Sequence, residues 1–470
     1  MLKINDEGVL FEINGKGEKE VSFESVSSDK FIKNLGTEIS ETYSCSHYSN
    51  EIFLLFILKQ KEWQQQLGNI ELEHVSVSKG GLYNTLWRNT VNKHYKMPSM
   101  FLLIDNVQSA LMVFISFFIV LCGSVSLIPY LIYRCFFEGI NEVISNKLAI
   151  VRSPATYSKL HKVAQTEGIN LYSEDLIYKN KSLLSMFTLV PLSKVFSRIF
   201  LIPYITIKDF FHIVREAKLT IGFSFLGYIT WYFQKRILIK VLYQVVFEGI
   251  CSQKSGGIIY TGNKDDRFAM LEYSVCKKND IDIQCIPHGL EYSFKLPSGL
   301  VGNKFFSTSR LASNYLNNLY GTKKFIYDEN LIRQLYSNMS VNNSVKKIVY
   351  FSESRDTHIN IAIVKILQEL KVPFCIKLHP KDSEKNYMSL DEPVDFIEDY
   401  QKAISNSLCI ARKSTVLIEA LYNNSKPIAF LISSKDKYYT EHVFLSLKTE
   451  TIEKVYDKSG LLMIINKYLL

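Results

Sequence analysis

The chain has 470 residues, 47% hydrophobic and 21% charged, which excludes a disordered polypeptide and leaves room for two to three domains. A formal net charge of +9, spread without a basic run, argues against a nucleic-acid binder and suits anionic lipid headgroups or a nucleotide phosphate. Eight scattered cysteines without a C-x-x-C pair read as thiols in a reducing compartment, not as a disulfide framework or a zinc site.

Residues 1–100 form an α/β segment of unassigned role. They hold β-like runs at 8–13 and 52–58 and turn signals at Asn14-Gly15 and Lys79-Gly80-Gly81. The polar start, residues 1–20, carries no secretory signal. Residues 101–140 form an apolar, membrane-associating segment. From 109 to 133 there is no charge, and a run of that length can cross a bilayer as a helix. Gly123, Ser124 and Pro129 also allow a re-entrant hairpin or a helix lying in the interface, and a buried core helix has the same composition. Crossing would strand the first hundred residues on the far side, so insertion into one leaflet is the expectation.

Residues 141–335 read as a Rossmann-like domain with an amphipathic insert at 183–250. Strand 148–151 opens into Arg152-Ser153-Pro154, with Ser153 placed to cap a helix and Pro154 at its first position. In the insert, runs such as Trp231-Tyr232-Phe233-Gln234-Lys235-Arg236 suit a membrane-surface helix and a core-facing helix equally. Strand 257–260, loop 261–267, helix 268–277 and strand 281–286 form a β-α-β unit with a parallel pair. Residues 315–346 are polar, with a linker at 337–344.

Residues 345–470 read as a second Rossmann-like domain. Strand 347–351 ends in Ser352-Glu353-Ser354-Arg355, and a helix follows at 359–370. Strand 374–378 ends in His379-Pro380, where the proline stops the ladder. A short strand and a helix lie within 391–407. Strand 408–410 ends in Ala411-Arg412-Lys413-Ser414-Thr415, before a helix at 416–422 and a strand at 428–432. No G-x-G-x-x-G occurs, so no dinucleotide site is expected. Ligands of open α/β sheets bind outside the carboxyl ends of the strands. Polar groups gather there at 261–267, 287–291, 352–356, 377–381 and 412–415.

Pro287-His288-Gly289, Lys377-x-His379-Pro380, Ser414-Thr415 with Glu419, and Lys426-Pro427 together resemble the motif order of bacterial surface-polysaccharide GT-B glycosyltransferases. The nearest groups by motif are the sialyltransferases and polysialyltransferases, capsule Kdo transferases and CDP-glycerol glycerophosphotransferases. The likeness covers residues 255–435. It implies two Rossmann-like domains facing across a cleft, an acceptor-side domain at 141–335 and a donor domain at 345–470. It further implies a metal-independent transfer from a nucleotide-activated sugar, a CMP-sugar before a UDP-sugar, to a lipid-linked or growing surface polysaccharide. The setting would be the inner leaflet, on the cytoplasmic face of a bacterial membrane. No cofactor and no nucleic acid are expected. A CDP-polyol phosphotransferase and a non-catalytic membrane scaffold are the rival readings.

An inverting transfer needs a base for the acceptor hydroxyl and donors for the departing phosphate. His288 is the first candidate base, with Glu291 and Asp266 as alternatives. The sialyltransferases carry an acidic pair followed by glycine, whereas this chain has Asp265-Asp266-Arg267. On the donor side, His379 with Lys377 and Pro380 would meet the phosphate, and Ser352, Glu353 and Arg355 would line the nucleotide pocket. Ser414 and Thr415 stand where many such enzymes have two serines; they open a helix that could hold phosphate or could simply be capped by them. Glu419, one turn in, could hold a ribose or cap the helix from within.

Overall fold

The computed structural model describes residues 2–4, 10–14, 17–20, 70–72, 106–138, 145–221, 226–254, 256–262, 268–287, 289–291, 301–337, 345, 347–353, 357–390, 392–433, 436–437, 440–441 and 444–469. The runs expected at 52–58 and Lys79-Gly80-Gly81, and linker positions 338–344, lie outside these residues. The chain divides into two compact units, Met1–Ile286 with Lys295–Phe305, and Pro287–Phe294 with Phe306–Leu470. The boundary therefore differs from the expected one near residue 335. Residues 306–335 go with the second unit because their polar groups are paired there. Thr308 Oγ1 lies 2.7 Å from Ser446 Oγ, and Asn423 Nδ2 donates to the Tyr336 carbonyl at 2.7 Å.

The first unit begins with a small sheet of β1 (Leu2–Ile4), β2 (Leu10–Asn14), β3 (Gly17–Glu20) and β4 (Ile70–Leu72), in the order β3-β2-β1-β4. β2 and β3 form an antiparallel hairpin with Asn14 opposite Gly17, where the Asn-Gly signal lies. Helix α1 (Asn106–Glu138) follows as one unbroken element through Pro129. This corrects the re-entrant alternative. Proline removes one backbone donor, but α5 packs along α1 and holds it in register. At its carboxyl end Arg134 pairs with Glu138 at 2.7 Å and Asp175 at 3.2 Å and stacks 4.3 Å over Phe187, tying α1 to the sheet edge.

A parallel sheet then forms from β5 (Lys147–Val151), β6 (Asn170–Ser173), β7 (Leu184–Ser185), β8 (Ile258–Thr261), β9 (Asp282–Cys285) and β10 (Lys304–Phe306). These six of the sheet's seven strands run in the order β7-β6-β5-β8-β9-β10, which in chain order is 3-2-1-4-5-6, the Rossmann arrangement. Helix α2 (Pro154–Glu167) starts as expected: Ser153 Oγ accepts the Thr156 N–H at 3.1 Å, and Pro154 needs no hydrogen bond in the first turn. The insert between β7 and β8 is helical, α3 (Leu192–Ile199), α4 (Leu201–Ile221) and α5 (Leu226–Cys251). α6 (Ala269–Lys278) connects β8 to β9, and those two strands are parallel, as the β-α-β reading anticipates.

The second unit holds elements that its polar composition hides. α7 (Arg310–Tyr320), β11 (Phe325–Ile326) and α8 (Glu329–Tyr336) lie just before the linker expected at 337–344, largely within the stretch read from sequence only as polar. Ser309 caps α7, and Asp328 caps α8 through two backbone N–H groups. Each helix buries a narrow stripe, Ala312 and Leu316 in one and Ile332 and Leu335 in the other.

Its sheet comprises β12 (Lys347–Phe351), β13 (Phe374–Lys377), β14 (Asp395–Phe396), β15 (Ser407–Ala411), β16 (Lys426–Phe430) and β17 (Glu453–Val455). The helices α9 (Thr357–Glu369), α10 (Tyr400–Ile404), α11 (Val416–Leu421) and α12 (Lys458–Leu469) alternate with the strands. The order β14-β13-β12-β15-β16-β17 is again 3-2-1-4-5-6, parallel throughout. Ile348, Tyr350, Ile410, Ile428 and Ile363 meet in one core. The central strands are apolar on both faces, as parallel strands covered on both sides must be. Of the described cysteines, five are buried, Cys375 is half-buried and Cys122 is exposed.

Candidate functional site

In the sheet of the second unit the chain order reverses between β12 and β15. In open α/β sheets such a switch point, at the carboxyl ends of the strands, is where ligands bind. The register puts Tyr350 opposite Ile410 and Phe351 opposite Lys377, so the loops after β12, β13 and β15 emerge side by side.

The loop after β15 is anchored by a buried charge. Arg412 is 0% exposed. Its Nε and Nη2 donate to Asp436 at 2.5 and 3.0 Å, and Nη1 reaches Asn360 Oδ1 at 3.3 Å and Glu353 Oε2 at 3.7 Å. Lys413 Nζ joins the same group, touching Asp436 and lying 3.3 Å from Glu353, while the Lys413 N–H donates to Glu353 Oε1 at 3.0 Å. Two cations and two carboxylates thus close a neutral cluster, which is how charge is tolerated in a core. Burial would lower the Arg412 pKa, but the Asp436 hydrogen bond and the Glu353 charge raise it overall. Burial would likewise raise the Asp436 carboxyl, and Arg412 with Lys413 holds it below its ordinary value.

Asn360, near the start of α9, completes the tie. Its side chain accepts from Tyr350 Oη at 2.9 Å and donates to the Glu353 carbonyl at 2.8 Å. Glu353, expected to line a nucleotide pocket, therefore binds the β12 loop to the β15 loop across the switch point. Arg412, Lys413, Asn360 and Asp436 were given no role from sequence. Arg412 stands in a quoted strand end, but nothing local marks it as buried.

The loop after β13 carries the group best placed to meet a ligand. The His379 N–H donates to Ser352 Oγ at 3.0 Å, and the Ser352 N–H donates to the Lys377 carbonyl at 3.1 Å. The His379 ring is held by the Lys381 N–H, which donates to Nδ1 at 3.1 Å. The proton of the neutral imidazole then sits on Nε2. Burial, helped by the Lys381 charge, lowers the His379 pKa, so the ring is neutral at pH 7 and offers one N–H. Asp382 closes the turn. Burial would raise its pKa, but bonds from Ser352, Tyr387, Asn386 and the Ser383 N–H lower it overall. Tyr387 Oη and Asn386 Nδ2 reach it at 2.7 Å each.

The other expected donor residues have more local duties. Lys377 Nζ donates to the Glu398 carbonyl at 2.8 Å, and Pro380 is exposed in the turn. Ser414 Oγ accepts the Val416 N–H at 3.3 Å, a structural cap for α11, while the Thr415 hydroxyl makes no capping bond. Glu419 accepts from Tyr400 Oη at 2.8 Å, linking α11 to α10, and burial together with that carboxylate pushes the Tyr400 phenol up. Arg355 lies outside the described residues.

Of the candidate bases, His288 and Asp266 also lie outside the described residues. Glu291 is 1% exposed and belongs to the second unit. Its Oε1 accepts the Thr308 N–H, and its Oε2 accepts hydroxyls from Thr308 at 2.7 Å and Ser446 at 2.8 Å. Both oxygens are thus engaged in holding the segment against its own unit.

The parallel sheet of the first unit reverses between β5 and β8, and side chains pack at that point. Arg152 is buried against Glu272 at 3.1 Å, and its Nη2 lies 3.4 Å from Thr261 Oγ1. Tyr243 Oη donates to the other Glu272 oxygen at 2.5 Å while its ring stacks on Phe268 at 3.9 Å. Gly262 passes so close to Thr156 that a Cβ there would collide with the threonine methyl. Among the described residues no group of His, Cys, Asp and Glu has metal-site geometry. No protein-family model matches the chain, and no curated protein does.

Proposed function

We propose that the chain is a glycosyltransferase of GT-B type, moving a sugar from a nucleotide-activated donor to a surface-glycan acceptor. The observation that carries this reading is His379. It presents a single N–H at a strand end beside a Rossmann switch point, where nucleotide phosphates bind in such sheets. The neighbouring Thr415 hydroxyl, uncommitted to the helix cap, is the second group suited to an oxygen-rich ligand. In this reading His379 Nε2–H donates to the departing phosphate, and the cluster of Arg412, Asp436, Glu353 and Asn360 keeps the two loops in place.

His288 takes the role of base by its resemblance to the Pro-His-Gly turn of the related transferases. It accepts the acceptor hydroxyl proton as the new C–O bond forms and the bond from sugar to phosphate breaks. The electrons of that bond leave with the nucleotide.

The test is a calorimetric and turnover screen of the full chain against CMP-, UDP- and GDP-sugars and CDP-glycerol. The reading expects one nucleotide-sugar to bind and to be hydrolysed slowly without acceptor. His379→Ala should weaken that binding, and His288→Ala should slow turnover with binding kept. Transfer from CDP-glycerol alone would replace the reading with a polyol phosphotransferase, and binding of none would end it.

A further inference from the structure

Helix α1 leaves many large apolar side chains exposed, although Met112, Val120 and Leu131 are buried. It buries Ser109, Ser116, Ser124 and Arg134, and it exposes Leu111, Phe114, Phe118, Val125, Tyr133 and Phe137, each more than 45% accessible. A soluble amphipathic helix does the reverse. The helices behind it repeat the pattern. α4 and α5 bury an Asp209–Lys240 ion pair at 2.6 Å, and Thr206 and Thr230 turn their hydroxyls onto carbonyls of their own helices. α1 meets α5 at small residues. The Gly227 N–H donates to Ser109 Oγ at 2.8 Å, and a Cβ at Gly227 would lie 3.0 Å from the Ser109 backbone. Close approach at Gly and Ser, with polar groups turned inward, is the packing helices use when their outer surroundings are apolar.

The exposed face continues onto the neighbouring helices. The Phe117 ring lies 5.5 Å from Phe211 of α4 and 6.1 Å from Phe118, which lies 4.7 Å from Phe114. On α4 the exposed stripe alternates ring and cation, Tyr204, Lys208, Phe211 and Lys218. α3 adds exposed Lys194 and Phe196, and Phe200 just after it is exposed as well. Among the described exposed residues of α1, α3 and α4 there is no carboxylate. A large apolar face carrying exposed Lys194, Lys208, Arg215 and Lys218 complements an anionic lipid surface.

We propose that α1, α3 and α4 form a monotopic docking face, with α1 lying in the plane of one anionic phospholipid leaflet and its outer side among the acyl chains. α1 is long enough to cross a bilayer, but its neighbours oppose that orientation. Phe117 lies near the middle of the uncharged part of α1 and touches Phe211, and Lys208 is one turn from Phe211 on the same exposed stripe. A crossing along α1 would hold the Lys208 ammonium within about 10 Å of the midplane. In the plane, Lys208 and Lys218 reach headgroups while the rings beside them enter the chains. This inference uses the first unit alone and does not depend on the donor-site reading.

Flotation of the full chain with vesicles tests it. Phosphatidylcholine vesicles containing phosphatidylglycerol should carry the protein up at least about tenfold better than pure phosphatidylcholine. Joint Phe114→Asp and Phe118→Asp should abolish flotation, and joint Lys208→Glu and Lys218→Glu should remove the preference for anionic vesicles, both with unchanged circular dichroism. A fluorescent amino acid at Leu111, Cys122 or Phe136, quenched by doxyl lipids of graded depth, should report one shared depth. A deep position 122 with shallow ends would establish a crossing helix and overturn the in-plane face. Flotation indifferent to all four substitutions, or a vesicle-free dimer that the two aspartates split, would overturn the lipid surface as its occupant.

Discussion

Arg412 and Asp436 grip each other through two parallel hydrogen bonds, Nε to Oδ2 at 2.5 Å and Nη2 to Oδ1 at 3.0 Å, with both side chains shut off from solvent. One lies at the end of β15 and the other 24 residues later. The pair decides how the β15 loop leaves the sheet, and through Glu353 it decides the β12 loop as well.

Removing one partner leaves a buried charge, so Asp436→Ala should cost about 3–5 kcal/mol, while joint replacement by apolar residues (R412M with D436L) should cost much less. Urea unfolding followed at the second unit measures both. The folded-state pKa of Asp436 is depressed. Its contribution is therefore fully present above the unfolded carboxylate value of about 4 and is lost as pH falls below it. The denaturation midpoint should drop on acidification in the native chain and drop less in the apolar double variant.

His379 should bind donor phosphate more tightly as the pH is lowered from about 7.5 to 5.5. Its free-state pKa lies below the ordinary value, and an adjacent phosphate would raise it, so binding takes up a proton at Nδ1 in that range and releases the Lys381 N–H held there. His379→Gln keeps an N–H donor and should retain part of the affinity without the pH response. His379→Ala should lose about tenfold or more. Calorimetry with the nucleotide identified in the donor screen reads all three, and an unchanged pH slope in the glutamine variant would remove His379 from the phosphate.

Ser352→Ala removes the acceptor for the His379 N–H, a part-buried bond of 3.0 Å. The expected cost is about 1–2 kcal/mol, with faster amide exchange at residues 379–382 and a weaker donor affinity at unchanged turnover. Loss of turnover with affinity intact would contradict this positioning role.

Glu291 separates structure from chemistry. Glu291→Ala should strip the acceptors from Thr308 and Ser446 and lower stability by about 1–3 kcal/mol. Glu291→Gln can keep most of these bonds, since both hydroxyls can also accept. Activity per folded molecule should survive the glutamine change. A fall of a hundredfold or more in kcat with folding intact would instead make Glu291 the base.

In the first unit, Tyr243→Phe keeps the 3.9 Å ring stack on Phe268 but takes a donor from the buried Glu272. Thermal unfolding should show a loss of about 1–3 kcal/mol, larger than the ring's unchanged packing would suggest.

Much of the fold was legible because parallel strands announce themselves. β5, β8, β12 and β15 are short apolar runs that end abruptly in polar residues, and the Ser153-Pro154 start of α2 is cap chemistry written locally. α7 and α8 escaped notice because each buries only a narrow stripe within an Asn- and Tyr-rich stretch. The apolar α1 was plain in composition, yet its unbroken course through Pro129 depended on α5 packing along it.

At the candidate site, His379 and Ser414 could be named from strand-end position alone, since turn chemistry and strand stops depend on adjacent residues. Their duties could not. Whether Glu353 faces a nucleotide or an internal lysine depends on residues 60 positions away in the chain. Whether Arg412 is exposed or fully buried depends on Asp436 arriving from beyond β16. Local preference and hydrophobic period act over a few neighbours and so prescribed the alternation of strands and helices. Strand order, charge pairing and the burial of Ser109, Ser116 and Ser124 in α1 arise only when distant segments exclude solvent from one another, and that is where the duties of these residues are assigned.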